Sequence, residues 1–444
     1  MNVSIHIKSF NSQMILLHTW KLKETLELFI FKWSPNRISQ VTNQQSITEV
    51  GRNQKLSNSV DMERIIPGKD SESVDSLDYL WLFWKIHGFY PSLKYNLLQK
   101  VHVIFIIVVV NFVIISTFVI QLFFVENLKQ LLYNLPMNIS LITDALKFFT
   151  ILKMHKKLVG IKDYFRKLDS RISTAKHVND IRKLIVFCKR LTLTVCFLYV
   201  SIVVSAALNA GVSNRQLLLF DVWVPYNFHD PAWVYWATFT FQFSCIVISA
   251  IQNLTNDLNG PLYFIMLNTH LKIIMERLEN VGWDLKKSQE DNYNELVECI
   301  KDRRIVMNVF DIFQNTTGYV IFMQFASTAL VLTMEALITI IYDLNFTELL
   351  LVVFYMLDVN VQILPCCYYS NKFMVLTDQF VTSIYSTNFP DQSPKFKKTA
   401  IIFMQMTQKR SILMAAKIVP VSLATFASII KLSYSMLTLA KQLH

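Results

Sequence analysis

Five ionisable side chains stand inside long apolar runs of this chain: Asp144, Lys147, Glu335, Asp358 and Lys431. A charge in hydrocarbon is costly unless it meets a counter-charge, a polar partner or water, so such residues mark ion paths, proton relays or structural pairs. Asp144 and Lys147 lie one helical turn apart and are expected to neutralise each other within a bundle. The closing segment, Ser411–Gln442, offers a different chemistry, because Ser422, Thr425, Ser428, Ser433, Ser435 and Thr438 surround Lys431. Steps of three and four residues put Ser422, Phe426, Ile430, Ser433, Leu437 and Lys441 on one face. This stripe of hydroxyl and bulky apolar groups fits the wall of a narrow gated pore. From pattern alone it fits better a bundle helix that uses small hydroxyls for close packing.

Catalytic patterns are missing. The sequence has no GxGxxG, GxxxxGK[ST], HExxH or CxxC, and none of its nine histidines pairs at metal-ligand spacing. Without clustered ligands or a nucleophile beside a base, the chain reads as a non-enzyme that needs no cofactor and no metal.

The elements that must position these residues are membrane helices. With 444 residues, 53% hydrophobic and 17% charged, and mean hydropathy +0.35, the composition is that of a polytopic membrane protein. The net charge of +11 is concentrated in segments between apolar runs, where Lys and Arg fix orientation, so nucleic-acid binding is not implied. The six cysteines fall in spans or inner loops, and no disulfide framework follows.

In chain order, residues 1–77 form an atypical leader, polar and expected to be disordered through Asn36–Ser59. The leader lacks the pattern of a signal peptide. Residues 78–100, beginning DYLWLFWKIHGFYP, suit an entry helix at the membrane interface. Residues 101–370 hold six spans: Val101–Phe124, Leu131–Leu152, Leu191–Ala210, Ala232–Leu254, Thr317–Ile341 and Glu348–Tyr369. Helical spacing in the polar stretch Thr255–Asn315 predicts that spans continue into the aqueous phase and pack there. Residues 371–410 are expected to form cytosolic anchor helices, and 411–442 the last, pore-lining transmembrane helix, crossing at Val419–Ala440.

The fold expected is therefore all-α, with seven transmembrane helices. The loops after spans two, four and six hold nearly all the Lys and Arg, which places the amino terminus in the cytosol and the carboxyl terminus outside. Outer-half residues Leu135, Met137 and Ile139 of the second span, Val204 and Leu208 of the third, Trp236, Phe239, Thr240 and Phe243 of the fourth, and Phe354 and Tyr355 of the sixth are candidates for an apolar pocket with a few hydroxyls. Such a cavity suits a small, weakly polar ligand recognised by shape and dispersion, while the same residues serve equally as core.

The stretch Ser386–Lys441 resembles the carboxyl-terminal signature of insect odorant receptors. In order come the turn STNFPDQSPKFKK, the helix TAIIFMQMTQKR and then AAKIVPVSLATFASIIKLSYSMLTL, with Lys417, Pro420, Ser422, Leu423, Phe426, Lys431, Ser433, Tyr434 and Ser435 at that family's spacing. DYLWLFWKIHGFYP is similar to the family's entry helix, whereas the leader before Asp61 is not. The closing SYSMLTLAKQ departs from the Thr-Tyr and Gln-Phe of gustatory receptors, and the long cytosolic loop of the shared co-receptor is missing.

The resemblance implies a ligand-tuned subunit of an odorant-gated, non-selective cation channel. It would be a heterotetramer with the odorant co-receptor, in the plasma membrane of an olfactory sensory neuron dendrite, binding a small volatile. It also implies a pocket among spans two, three, four and six in the outer leaflet and a gate at Leu437, with Lys441 one turn beyond. A metabotropic seven-span chemoreceptor, a gustatory-type channel and a transporter are the alternatives.

Overall fold

The computed structural model describes residues 72–88, 96–212, 217–342 and 344–443, and within the last helix the side chains of Leu437 and Lys441 lie outside the described residues. A short 3-10 turn, Ser73–Leu77, leads into α1 (Asp78–Ile86), which is followed by α2 (Leu97–Phe124), α3 (Leu128–Asp169), α4 (Ala175–Val212) and α5 (Ala232–Glu279). Then come α6 (Gln289–Ile341), α7 (Phe346–Tyr385), α8 (Pro394–Thr407) and α9 (Leu423–Leu443). The only strands among the described residues are Met414–Ala415 and Val419–Pro420, an antiparallel pair, so the fold is all-α as expected.

Six of these helices, α2 to α7, are long and apolar enough to cross a membrane. The seventh, α9, has 21 residues, which at 1.5 Å per residue spans about the 30 Å of a hydrocarbon core. Local signals set the starts. Ser288 caps α6 by accepting from the Asp291 amide while the Asp291 carboxylate accepts from the Ser288 amide. Ser393 accepts from the Phe396 amide at the head of α8, where Pro394 occupies the first turn. Within α2 the turn Ile106–Val113 is π-helical, and there the Asn111 side chain donates to the Ile106 carbonyl five residues back.

The helices that carry spans two, four, five and six are uninterrupted and 42, 48, 53 and 40 residues long, more than the roughly 20 residues a bilayer core needs. Their inner halves pack through aromatic rings: Phe264 meets Phe313 at 5.3 Å and Phe373 at 5.7 Å, and Phe310 stacks on Phe373 at 5.1 Å. The Cys366 side chain of α7 sits directly on Gly260 of α5, where an added Cβ would stand 2.8 Å from Cys366 Sγ.

Three expected boundaries shift. The leader does not extend to residue 77: Leu77 is fully buried, and the Ser73 amide and hydroxyl both donate to Asp169. The entry helix ends at Ile86 rather than near residue 100, because Gly88 takes a left-handed φ of +81° directly against Val103 of α2. The last helix starts at Leu423 and not at Val419, since Ala416 and Lys417 have positive φ and turn the chain into the hairpin, and Pro420 lies in its second strand. That hairpin is held on α6. Gln314 donates to the Met414 carbonyl and accepts from its amide, and the Ala416 amide donates to the Gly318 carbonyl at 2.8 Å.

Candidate functional site

Midway along the bundle the apolar runs are interrupted on all five central helices by polar side chains that meet one another. Lys147 of α3, 2% exposed, donates to Asn253 Oδ1 at 2.7 Å, Asp257 Oδ1 at 2.9 Å and Gln324 Oε1 at 2.7 Å. Tyr199 of α4 donates to the other Asp257 oxygen at 2.8 Å. Gln362 of α7 donates to Asp358 Oδ2 at 2.9 Å and to the Tyr199 hydroxyl at 3.2 Å, and its carbonyl accepts from Gln324. Asp144 accepts from Gln252 at 2.8 Å and Asn256 at 2.6 Å, and Gln252 also donates to Asn111 of α2. Six helices are thereby joined through one polar layer. Beside it lies a cavity of about 40 Å³ lined by Lys147, Asp257, Gln324 and Gln362 together with Phe313 and Ile321, room for a water molecule or two.

This arrangement corrects the expected neutralisation of Asp144 by Lys147. Lys147 pairs across helices with Asp257, while Asp144 is held by amides. A lysine in hydrocarbon is stabilised best by several converging acceptors, which a neighbour on its own helix does not supply. Asp257 was legible only as part of the run NLTNDLN, whose amides and carboxylate recur on the inward face of α5. Asp358 joins the layer by one oxygen, and its Oδ1 has no hydrogen-bond partner among the described residues. Glu335 is buried nearer the outer end of α6 without an ion pair among the described residues, and Lys431 is exposed on α9.

Above the layer the bundle holds buried polar atoms without partners. Pro136 lies within α3, and its carbonyl and the Ser140 hydroxyl both lie against the hydroxyl of Tyr355, at 3.5 and 2.6 Å. Asn134 Nδ2, Asn138 Oδ1 and the Tyr133 hydroxyl are buried with no hydrogen bond among the described residues. Around them Ile139 packs with Val331, Leu332, Val359 and Tyr355, and Met137 packs toward Ile114, Phe118 and Leu141. Leu135 and Phe354 are half-buried. The segment following α4 closes over this end. Gln242 accepts from the Leu219 amide and donates to the Phe220 carbonyl, Tyr235 donates to the Leu217 carbonyl, and Tyr226 meets Thr238.

The remaining pocket candidates are not brought there. Val204, Leu208, Trp236 and Phe243 are exposed on the outside of α4 and α5, as is Thr240, while Phe239 is half-buried between Tyr235 and Trp236. The inward face of α5 is instead Tyr235, Thr238, Gln242 and Cys245, and that of α4 is Ser205, Ala206 and Ala210. Aromatic richness marked an exposed surface of the chain there.

On α9 the inward face carries Ile429 and Ser433, whose hydroxyl reaches the Ala329 carbonyl of α6 at 3.3 Å, with Phe426 packed against the core. Phe426 and Ser433 therefore leave the expected pore stripe. Ile430 stays exposed, as do Lys431, Tyr434 and Ser435.

Comparison with known proteins adds a family. Residues 127–434 match the family model described as 7tm Odorant receptor. The chain is 24% identical to Odorant receptor 2a of Drosophila melanogaster over 376 residues, 81% of this chain and 95% of that one. It is 27% identical to Odorant receptor 33a of the same organism, over 66% of this chain and 78% of that one. Among solved structures, the insect olfactory receptor OR5 from Machilis hrabei in complex with eugenol superposes with a TM-score of 0.73 at 14% identity, covering 83% of this chain and 98% of that one.

Proposed function

Because the chain belongs to the 7tm Odorant receptor family, we propose that it is the ligand-tuned subunit of an odorant-gated, non-selective cation channel, assembled with a co-receptor subunit in a neuronal plasma membrane. One observation carries the channel reading: α9 rests on α6 and α7 through a single narrow face, and its remaining surface, rich in small and hydroxyl groups, is left open to other subunits and to a central path.

The ligand site of this reading lies in the outer half, among Leu135, Ile139, Phe354 and Tyr355, where apolar side chains surround the Tyr355 and Ser140 hydroxyls, while Met137 packs on the other side of α3. A small volatile of the kind named for the Machilis receptor, a phenol with an apolar tail, fits such a lining: its ring is held by dispersion and its hydroxyl by one hydrogen bond. The ligand opens the channel only by the difference in its affinity for the two states of the bundle. The polar layer and the Gln314 clamp give that difference a path to α9, since both involve α6 and the clamp holds the hairpin from which α9 starts.

The gate is assigned to Leu437, with Lys441 one turn further toward the carboxyl terminus, and the exposed Ile430 on the same side. The basic segments after α3, α5 and α7 are placed in the cytosol. Coexpression with the co-receptor and recording of odour-evoked current tests the reading. Leu437→Ala is expected to raise resting current and Lys441→Ala to change ion selectivity. Unaltered conduction, gating and selectivity in both would overturn the pore assignment. A glycan at the exposed Asn345, in the sequon Asn345-Phe346-Thr347, would support the orientation.

A further inference from the structure

The outer surfaces of α3 and α4 change character abruptly at one level. On α3 the exposed stripe Ile142, Leu146 and Phe149 continues one turn later as Lys153 and Lys157. On α4, which runs the opposite way, Lys183 and Arg190 give way to Leu193, Phe197 and Val200. On α2 exposed Lys100 stands in the first turn, among exposed Leu97 and Leu98 before it and Val101, Ile104 and Phe105 after it.

Between them lies α1, held at this same level by its neighbours. Trp81 and Trp84 meet the His155 ring of α3 at 6.2 and 5.6 Å, Asp78 pairs with Lys189 of α4 at 3.0 Å, and Gly88 abuts Val103 of α2. The open side of α1 carries Leu82, Lys85 and Ile86, two apolar groups flanking a cation. The nearby acids are spoken for: Asp78 by Lys189, and Glu72 and Asp163 by Arg166. Among the described residues Lys85, Lys100, Lys153, Lys157 and Arg190 make no ion pair.

We propose that this rim, formed by Lys85, Lys100, Lys153, Lys157 and Arg190, binds the phosphate headgroups of acidic phospholipids in the cytosolic leaflet. The inference rests on the proposed orientation, which puts the rim on the inner side of the membrane. Charge complementarity selects the occupant. Cations set directly beyond lipid-facing Phe149, Leu193 and Ile104 stand at headgroup depth, where each is worth about fivefold in affinity for an anionic surface. The exposed apolar groups beside Lys85 reach the acyl boundary that a free phosphate lacks.

The test uses the full-length receptor complex in vesicles of phosphatidylcholine with increasing phosphatidylserine, reading the melting temperature. Phosphatidylserine is expected to raise the melting temperature of the wild type. The variant K85Q/K153Q/K157Q/R190Q is expected to lose at least half of that rise, while K286Q/K287Q, in the exposed turn between α5 and α6, keeps it. Equal loss in both variants, which means general charge alone, would overturn the proposal, as would an undiminished rise in the quadruple variant. Should that variant not fold, Lys153→Gln alone is expected to shift the phosphatidylserine midpoint about fivefold, and no shift overturns it. Labelling of Lys153→Cys by an impermeant thiol reagent on intact cells separates the two readings: modification there refutes the orientation, whereas the vesicle titration alone decides the lipid preference.

Discussion

Below the level of Asp257 the long helices meet through a cluster of buried rings and through the Cys366 side chain seated on Gly260, with Asn259, Tyr263 and Asn268 each leaving one atom without a partner among the described residues; above it they meet chiefly through amides, hydroxyls and carboxylates, where Asn134 and Asn138 each leave one. The inner half is packed to a single arrangement, since rings such as Phe264 and Phe313 are fully buried and have nowhere to go. Both halves hold buried polar atoms whose hydrogen bonds are unmade among the described residues, so what distinguishes the outer half is the hydroxyl pair of Ser140 and Tyr355 set among apolar side chains. The ring-packed half is the anchor and the half holding Tyr355 the proposed receiver, with the polar layer around Lys147 at the border.

Breaking the anchor has the largest expected effect. Phe264→Ala removes a fully buried ring that meets Phe310, Phe313 and Phe373 edge-on and is expected to cost about 3–5 kcal/mol, read as loss of folded receptor on size-exclusion chromatography. At the border, Lys147→Met strands Asp257 and is expected to cost about 3–5 kcal/mol in thermal unfolding, with partial recovery when Asp257→Asn is added. Recovery in that double variant distinguishes a lost counter-charge from a lost shape. In the receiver, Tyr355→Phe removes one hydroxyl that meets Ser140 and is expected to shift the odorant half-maximal concentration by about fivefold, at about 1 kcal/mol, without changing surface expression.

How much of this the sequence announced follows from the kind of signal each part leaves. The helical character of the spans and of the polar stretch between them was legible because apolar length and helical spacing are local properties, and α5 and α6 are helical through it apart from the turn between them. The Lys147–Asp257 pair was not, because it joins side chains 110 residues apart and only folding tells which acid a buried lysine meets. Trp236, Phe243, Val204 and Leu208 misled because a membrane protein turns apolar side chains both inward and outward, so hydrophobicity no longer separates core from surface. The small inward groups Ser205, Ala206 and Ala210 carried the better signal. On α9 a one-sided stripe was foreseen, but its register slips, since Ser433 turns to the Ala329 carbonyl instead of away from it.

Two smaller effects sharpen the contrast. Trp236→Ala and Phe243→Ala, on the lipid side, are expected to change odorant potency by less than about twofold, since exposed positions away from special features are worth about 0.5 kcal/mol or less. A larger loss would move the receiver outward. At the entry helix, burial holds the His87 imidazole below its usual pKa, so its neutral form is favoured on folding. The stability it contributes is present above about pH 6.5 and falls as pH drops below that value. Tryptophan fluorescence from Trp81 and Trp84 is expected to report looser docking of α1 in acid, and His87→Gln is expected to remove that dependence.

Cysteine scanning of α9 in the assembled channel tests the central claim most directly. Single cysteines at Ile430, Lys431 and Tyr434, on the open side, and at Ile429 and Ser433, on the side packed against the bundle, are exposed to a charged thiol reagent during odour-evoked current. The expected result is rapid change of current at one or more open-side positions and none at Ile429 or Ser433. Unaltered current at every open-side position, with odour responses intact, would contradict α9 as the wall of the conducting path.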